Sequence, residues 1–549
     1  MALSPAEERF RILRTILVCL SLANLFFISA WYRIQDLQAP FANYFRDRPP
    51  DLTILKATVL DALLLTAVFA VLSWIAGWLP QWEKLWDCIF LAAVALALEV
   101  TRAGWPNLTW ADEARRVGAL VAEVALVGGL LLRAFSNRRV AVTAVTRVLL
   151  FFNFLFLALA VHFVSAWIAT PADAEFYNQP SAASAGKAGP RVLWLLFDSL
   201  DMRMTFDARH PSLQLPELDR LRNASFSAAQ GYSPARYTTY SVPGLLTGRL
   251  FQESSPSGPD LNLLTPRGGG EPISWTSMPS LFYDTRKLGL NARVTGWYHP
   301  YCRLFGTDLV DCLNELGVDS RATQESYAAS LGIAGSMKYL MRQRFENLLF
   351  RLHIRDSRPS DILPQIYAQK RQREQYLAIR QHTIETIPRF TSGLYYVHWP
   401  LPHPPAIYDR RTKSFESTLA NTYLDNLALV DRTLGELRVA MEKAGIWENT
   451  TIIVTADHGY RPEIWSGSSG DAKEMIEALG GSKSLTVPVI IRFAGHAEPL
   501  KYGPTFNNVL LHDIVLAIFQ NQLTNSAQLS KWLDANKDRF PTAPPQPIP

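Results

Sequence analysis

The sequence predicts an α-helical membrane domain followed by an α/β domain built on a mainly parallel sheet. Three observations predict it. Apolar residues crowd the first third of the 549-residue chain, short β-branched and apolar runs alternate with helix-like stretches after Arg191, and a small, polar, Pro- and Gly-rich segment separates the two.

Apolar stretches occupy residues 12–31, 62–79, 86–98, 117–132 and 148–169. A bilayer core takes roughly 20 apolar residues in a helix, with about 17 tolerated, so the first, second and fifth are long enough and the other two are short. The short pair also fits buried core helices or re-entrant segments, but the segments between them are too brief to build a soluble core. Five spans over residues 1–170 are expected. No small-residue cleavage site follows the first stretch, which therefore reads as an anchor. Arg9, Arg11 and Arg14 precede the first span, and Arg133, Arg138, Arg139 and Arg147 surround the loop before the last, whereas residues 169–186 hold no Lys or Arg. This bias predicts a cytoplasmic N-terminus, with Arg46, Arg48, Arg115 and Arg116 against the trend. An odd number of spans then puts everything after Thr170 outside the cytoplasm.

Of the four cysteines, Cys19 and Cys88 fall in apolar stretches. Cys302 and Cys312 remain, a disulfide if their compartment is oxidising and two thiols if it is cytosolic. The net charge of +5 is spread over both parts, so nucleic acid is not an expected partner. Asp61, Glu99 and Glu123 lie in or at the ends of spans and receive no role.

Residues 171–190, with "NQPSAASAGKAGP", read as a linker, residues 191–520 as the α/β domain, and residues 521–549 as a C-terminal helix and a disordered tail. The strands are "RVLWLLF", "ARVTGWY", "LYYVHW", "TIIVTA" and "LTVPVIIRF". In open α/β sheets the ligand lies outside the carboxyl ends of the strands. The polar residues there are Asp198, His299, His398 and the pair Asp457-His458. Any one of them alone reads equally well as a helix cap. A helical apolar stripe, Met337, Leu340, Met341, Phe345, Leu348, Leu349 and Leu352, carries Lys338, Arg342, Arg344, Arg351 and Arg355 around it. It fits either an anionic membrane surface or a face packed on its own domain.

Asp198, Asp457 and His458 offer two carboxylates and an imidazole, a donor set that suits zinc or manganese and leaves a coordination position free. Asp201 fits a second ligand or a helix-start acid equally.

"RVLWLLFDSLD", "LPELDRLRNASFSAAQGYSPARYTTYSVPGLLTGR", "NTYLDNLALVDRTLGELRVAMEKAGIWENTTIIVTADHG" and "LTVPVIIRF", in that order, resemble the sulfatase-type branch of the alkaline phosphatase superfamily over about residues 191–520. The resemblance implies an alkaline-phosphatase-like α/β core, one or two metals at the strand ends, and a covalent intermediate beside them. Sulfatases carry a Cys or Ser, matured to formylglycine, some nine residues before a Leu-Thr-Gly. Counting back from Thr247-Gly248 reaches Thr238, which cannot form formylglycine. "TTYSVP" is instead similar to the Thr-x-x-Ser-x-Pro segment of the membrane-bound phosphoethanolamine transferases, whose first Thr attacks a lipid phosphate. The count again selects Thr238. His398 and His403 in "HWPLPH" keep the spacing of that branch's His-x-x-Gly-Ser-His segment. The chain departs from the branch in carrying Asp198 in place of Glu, fewer disulfides, and no clear match for a further His, for which Lys483 or His496 would substitute.

The resemblance thus implies a metal-dependent transferase in a bacterial inner membrane with a periplasmic catalytic domain. It would move a phosphoethanolamine- or phosphoglycerol-type headgroup from a phospholipid donor to an envelope glycan or lipid through Thr238. His398 and His403 would move protons, and Lys483 would line the substrate pocket; Trp297 and His299 in "TGWYHPYC" fit that pocket or simple packing equally. A membrane-anchored sulfatase-like hydrolase or phosphodiesterase, and a catalytically silent lipid-binding relative, are the other readings; for Thr238 alone, a helix N-cap is the simpler one.

Overall fold

The computed structural model describes residues 4–28, 30–31, 34, 44–45, 52–103, 138–154, 156–163, 165, 188–317, 326–351, 362–415, 418–465, 486–495 and 498–542. The chain forms two compact units: Met1–Ala39, Pro50–Thr170 and Gln324–Ile362 make the first, and Pro40–Pro49, Pro171–Thr323 and Leu363–Pro549 the second.

In the first unit, Val18 and Leu22 of helix Pro5–Phe26 meet Leu91 and Val94 of Glu83–Ala103 and Val145 and Leu149 of Arg138–Phe163. Polar clasps join the same elements: the Ser21 hydroxyl donates to the Leu149 carbonyl at 2.6 Å, and the Asn153 amide to that of Leu17 at 3.1 Å. Among the described residues, Thr53–Trp78 and Arg138–Phe163 are long and apolar enough to cross a bilayer. This narrows the expected five spans. Helix Pro5–Phe26 carries Glu7, Glu8, Arg9, Arg11 and Arg14 in its first half, Glu83–Ala103 carries Glu83, Lys84, Asp87, Glu99 and Arg102 towards its two ends, and residues 117–132 lie outside the described residues. Helix Gly332–Arg351, bearing the basic-edged stripe, belongs to this unit and packs on Thr53–Trp78 and Glu83–Ala103, so the expected uninterrupted domain over 191–520 is corrected.

The second unit is built on a mixed sheet. Its strands, with those of a small second sheet, are β1 (Arg191–Phe197), β2 (Phe226–Tyr232), β3 (Phe251–Pro256), β4 (Asn262–Pro266), β5 (Ile273–Ser274), β6 (Ala292–Tyr298), β7 (Asp311–Leu316), β8 (Gly393–Trp399), β9 (Thr451–Ala456), β10 (Thr486–Arg492), β11 (Leu500–Tyr502) and β12 (Phe506–Asn507). The main order is β11-β2-β10-β9-β1-β8-β6-β7, with β12 also on β2, and β3-β4-β5 form the small antiparallel sheet. β9, β1, β8, β6 and β7 are parallel, while β10 runs antiparallel to both β9 and β2. The continuous apolar runs are needed because both faces are covered. Val192, Trp194 and Leu196 of β1 enter one core; Leu193, Leu195 and Phe197 enter the other.

The C-terminal segment forms the helix Ser526–Asn536. Leu523, Leu529 and Leu533 are buried in the first of these cores, and the Tyr502 hydroxyl donates to Asp534 at 2.9 Å. Cys302 and Cys312 are disulfide-bonded, tying the short helix Tyr301–Phe305 to β7. Residues 171–187 of the expected linker and 543–549 of the expected tail lie outside the described residues.

Candidate active site

β1 and β9 lie side by side with Phe197 opposite Ala456, so the next residues, Asp198 and Asp457, emerge together at their carboxyl ends. His458 follows. The three offer donor atoms within 4.8 Å of one another and are all buried. Ser199, in the left-handed region at φ 70°, turns the chain sharply after β1 and aims its own N–H at Asp457 Oδ1, 3.1 Å away. A non-glycine residue held there costs about 1–3 kcal/mol and points to a functional constraint.

Thr238 is the first residue of helix Thr238–Thr247, which follows the extended Tyr237 and ends at the left-handed Gly248. Its side chain does not cap the helix. The hydroxyl instead donates to Asp198 Oδ2 at 3.2 Å and lies 3.3 Å from His458 Nε2. The Ser241 hydroxyl, one turn on, donates to the Asp457 carbonyl at 2.5 Å and pins the helix to β9. The simpler N-cap reading is thereby excluded by geometry.

The residues fit a divalent cation. His458 Nδ1 is 2.8 Å from the Gly459 carbonyl, which can only accept, so the ring proton sits on Nδ1 and Nε2 presents a lone pair. That lone pair faces Asp457 Oδ2 at 3.4 Å and Asp198 Oδ1 at 3.7 Å. Asp457 Oδ2 is buried without a hydrogen-bond partner among the described residues. Burial, and then the charge of Asp457, push the Asp198 carboxyl well above the ordinary carboxylate range; burial likewise raises Asp457. Two buried carboxylates and a neutral imidazole nitrogen converge here with few donors between them, Asp457 Oδ2 having none among the described residues, and such a group calls for positive charge.

His398 lies within β8 rather than beyond it, fully buried, its Nδ1 2.8 Å from the Tyr301 hydroxyl and its unpartnered Nε2 3.9 Å from Asp198 Oδ2. His403, half-buried on the following loop, donates from Nδ1 to the Pro404 carbonyl at 2.7 Å, leaving Nε2 as an acceptor. Burial lowers both histidines to about 3, so both are neutral near pH 7.

Trp297 and His299 take the packing alternative. Trp297 is buried, its indole donating to Gln375 at 3.2 Å and its ring 5.0 Å from that of His403. His299 is also buried, bonded to the carbonyl of Thr238 at 3.1 Å, behind the helix rather than open to substrate. The end of β6 folds inward here, which residue type alone does not signal. Asp201 accepts from the N–H groups of Arg203, Met204 and Tyr460, the helix-start alternative, and stands outside the metal group. Lys483 and His496 lie outside the described residues.

Three residues were not found from the sequence: Ser199, Tyr301 and Arg461. Arg461 lies over the Tyr237 ring at 5.1 Å, its charge acts on Asp198, Asp457 and His403, and its buried Nε has no hydrogen-bond partner among the described residues. Its position four residues past Asp457 was the available signal.

Residues 384–518 match the Sulfatase family model. The chain contains a sulfatase-type segment. This segment holds His398, His403, Asp457, His458 and Arg461, while Asp198 and Thr238 reach the same site from outside it. No curated protein sequence matches the chain. Solved structures similar to it include a protein in the alkaline phosphatase superfamily from Vibrio parahaemolyticus, with a TM-score of 0.37, 14% identity, and 62% of this chain and 68% of that one covered. The phosphonate monoester hydrolase of Agrobacterium radiobacter has a TM-score of 0.36 and 15% identity, covering 59% and 73%. PsFucS1 sulfatase from Pseudoalteromonas sp. has a TM-score of 0.37 and 18% identity, covering 60% and 67%. The likenesses are distant, and the chemistry of the sulfatase-type site rests on its own geometry.

Proposed function

We propose that this protein is a membrane-anchored, metal-dependent transferase that moves a phosphoethanolamine- or phosphoglycerol-type headgroup from phospholipid to an envelope glycan or lipid by way of Thr238. The observation that carries the reading is the Thr238 hydroxyl, turned away from helix capping and held between Asp198 and His458.

Asp198, Asp457 and His458 would hold the ion, with zinc and manganese both suited to the donors. Such an ion lowers the pKa of an adjacent hydroxyl and draws charge from phosphoryl oxygens. Thr238 Oγ1 gives up its proton on the Asp198 side as it forms the new bond to phosphorus, the phosphorus–oxygen bond to diacylglycerol breaks, and the departing oxygen takes up that one proton, so none is gained or lost. The free N–H groups at the start of helix Thr238–Thr247 and the Arg461 guanidinium favour the negative phosphoryl group. An acceptor hydroxyl then loses its proton to His403 Nε2 and displaces Thr238.

Anchoring in the cytoplasmic membrane, with the second unit on its outer side, suits a donor confined to that plane. Supporting it, the two long apolar helices turn large side chains outward, Trp74, Phe151 and Phe154 among them, and Cys302 and Cys312 are joined as in an oxidising compartment. The Sulfatase match favours one second reading, a hydrolase with water as acceptor.

Intact mass of the full-length protein after incubation with phosphatidylethanolamine and phosphatidylglycerol vesicles and manganese or zinc tests the proposal. An adduct on the wild type, absent from Thr238→Ala, with an increment of one headgroup phosphate, is expected. Release of free headgroup phosphate, undiminished when no acceptor is added, would favour the hydrolase.

A further inference from the structure

We infer that Tyr44, from the segment between the first two N-terminal helices, is a positioning residue that holds the Thr238 end of its helix through His299 and Asn262. This rests on Thr238 as the nucleophile.

Pro40–Pro49 belongs to the second unit, and Tyr44 is fully buried there. Its carbonyl accepts from the buried Arg303 at 2.8 Å, and the neighbouring Phe45 ring meets Tyr298 edge-on at 5.1 Å. The Tyr44 hydroxyl lies 2.9 Å from His299 Nδ1, and His299 Nε2 lies 3.1 Å from the Thr238 carbonyl. That carbonyl can only accept, so Nε2 carries the proton. In the neutral ring Nδ1 then has none, and Tyr44 must be the donor. Burial keeps the phenol protonated by raising it well above its ordinary value, and keeps His299 neutral by lowering it to about 3. The direction of both hydrogen bonds is therefore fixed.

A second contact runs in parallel. Pro243 has no N–H to offer the Thr239 carbonyl one turn earlier. The Asn262 amide takes its place at 3.3 Å, and Asn262 also bonds to the Tyr44 hydroxyl. One phenol thus touches both side chains that grip the first-turn carbonyls. Removing it lets the His299 ring take its other tautomer, which turns a lone pair on the Thr238 carbonyl.

The test uses the full-length protein in phosphatidylethanolamine and phosphatidylglycerol vesicles with manganese. Tyr44→Phe is expected to lower kcat about tenfold or more, leaving KM for the donor and metal stoichiometry unchanged. Gln at 299 places an amide donor where Nε2 stands and has no tautomer to choose. In a His299→Gln background, Tyr44→Phe should therefore cost less than in the wild type, keeping only the part carried through Asn262. An unchanged kcat in the single variant, or an equal loss in both backgrounds, overturns the inference. Hydrogen exchange over residues 237–247 reads the same contact without turnover: Tyr44→Phe should speed it, and unaltered exchange overturns the inference. If the wild type forms no Thr238 adduct, the transferase reading fails, and exchange alone decides whether Tyr44 holds this helix.

Discussion

Thr238 Oγ1 and His458 Nε2 stand 3.3 Å apart although 220 residues separate them in the chain, and neither spends that atom on a helix cap or a backbone group. On the proposed reading this hydroxyl is the nucleophile. Thr238→Ala is expected to reduce transfer by at least about a thousandfold, and Thr238→Ser to recover most of it, since Ser keeps the oxygen. Initial rates on vesicles decide, and an alanine variant as active as wild type would falsify the mechanism.

The converging acceptors of Asp198, Asp457 and His458 predict that a divalent ion stabilises the fold. Saturating zinc or manganese at about a hundred times the dissociation constant should add about 2.7 kcal/mol. Chelation should lower Tm correspondingly. Asp457→Asn removes the unpartnered Oδ2, so its melting should scarcely respond to the metal, whereas a metal-dependent rise equal to the wild type's would assign the ion elsewhere.

Arg461 should act on binding more than on chemistry. Arg461→Ala is expected to raise KM for an anionic lipid donor about tenfold or more while metal loading stays intact, with Arg461→Lys between the two. A change confined to kcat would contradict an anion-binding role.

Asp431, on helix Tyr423–Lys443, accepts from the Leu218 N–H at 2.8 Å, and burial raises its carboxyl to about 6. The folded chain therefore holds this proton more tightly than the unfolded one. That contribution is complete below about pH 4 and is lost as pH rises through about 6. Asp431→Asn keeps the acceptor and removes the charge. It should be more stable than wild type at pH 8 by about 2–3 kcal/mol, with the gain shrinking below pH 5. Equal differences in Tm at both pH values would count against this.

Strands with continuous apolar sequence, such as "RVLWLLF" and "TIIVTA", were legible because a sheet covered on both faces has no polar positions to spare. β2, "FSAAQGY", was not, since its small residues carry no β signal and its pairing with β10 and β11 supplies the burial. Asp198, Asp457, His458 and Thr238 were legible from strand ends and motif register. The inward turn of His299 and Trp297 was not, because residue type does not reveal on which side of a helix a strand end closes. Tyr44 gave no signal at all: its partners are more than 200 residues away.

The exchange of Pro40–Pro49 and Gln324–Ile362 between the two units sets the order of biosynthesis. Tyr44 leaves the ribosome long before the helix it braces, and helix Gly332–Arg351 long after the helices it packs on. Neither unit is complete when its first residues appear. Each must wait, partly unpacked, for a segment embedded in the other's stretch of messenger, so deleting either insertion should compromise the maturation of both.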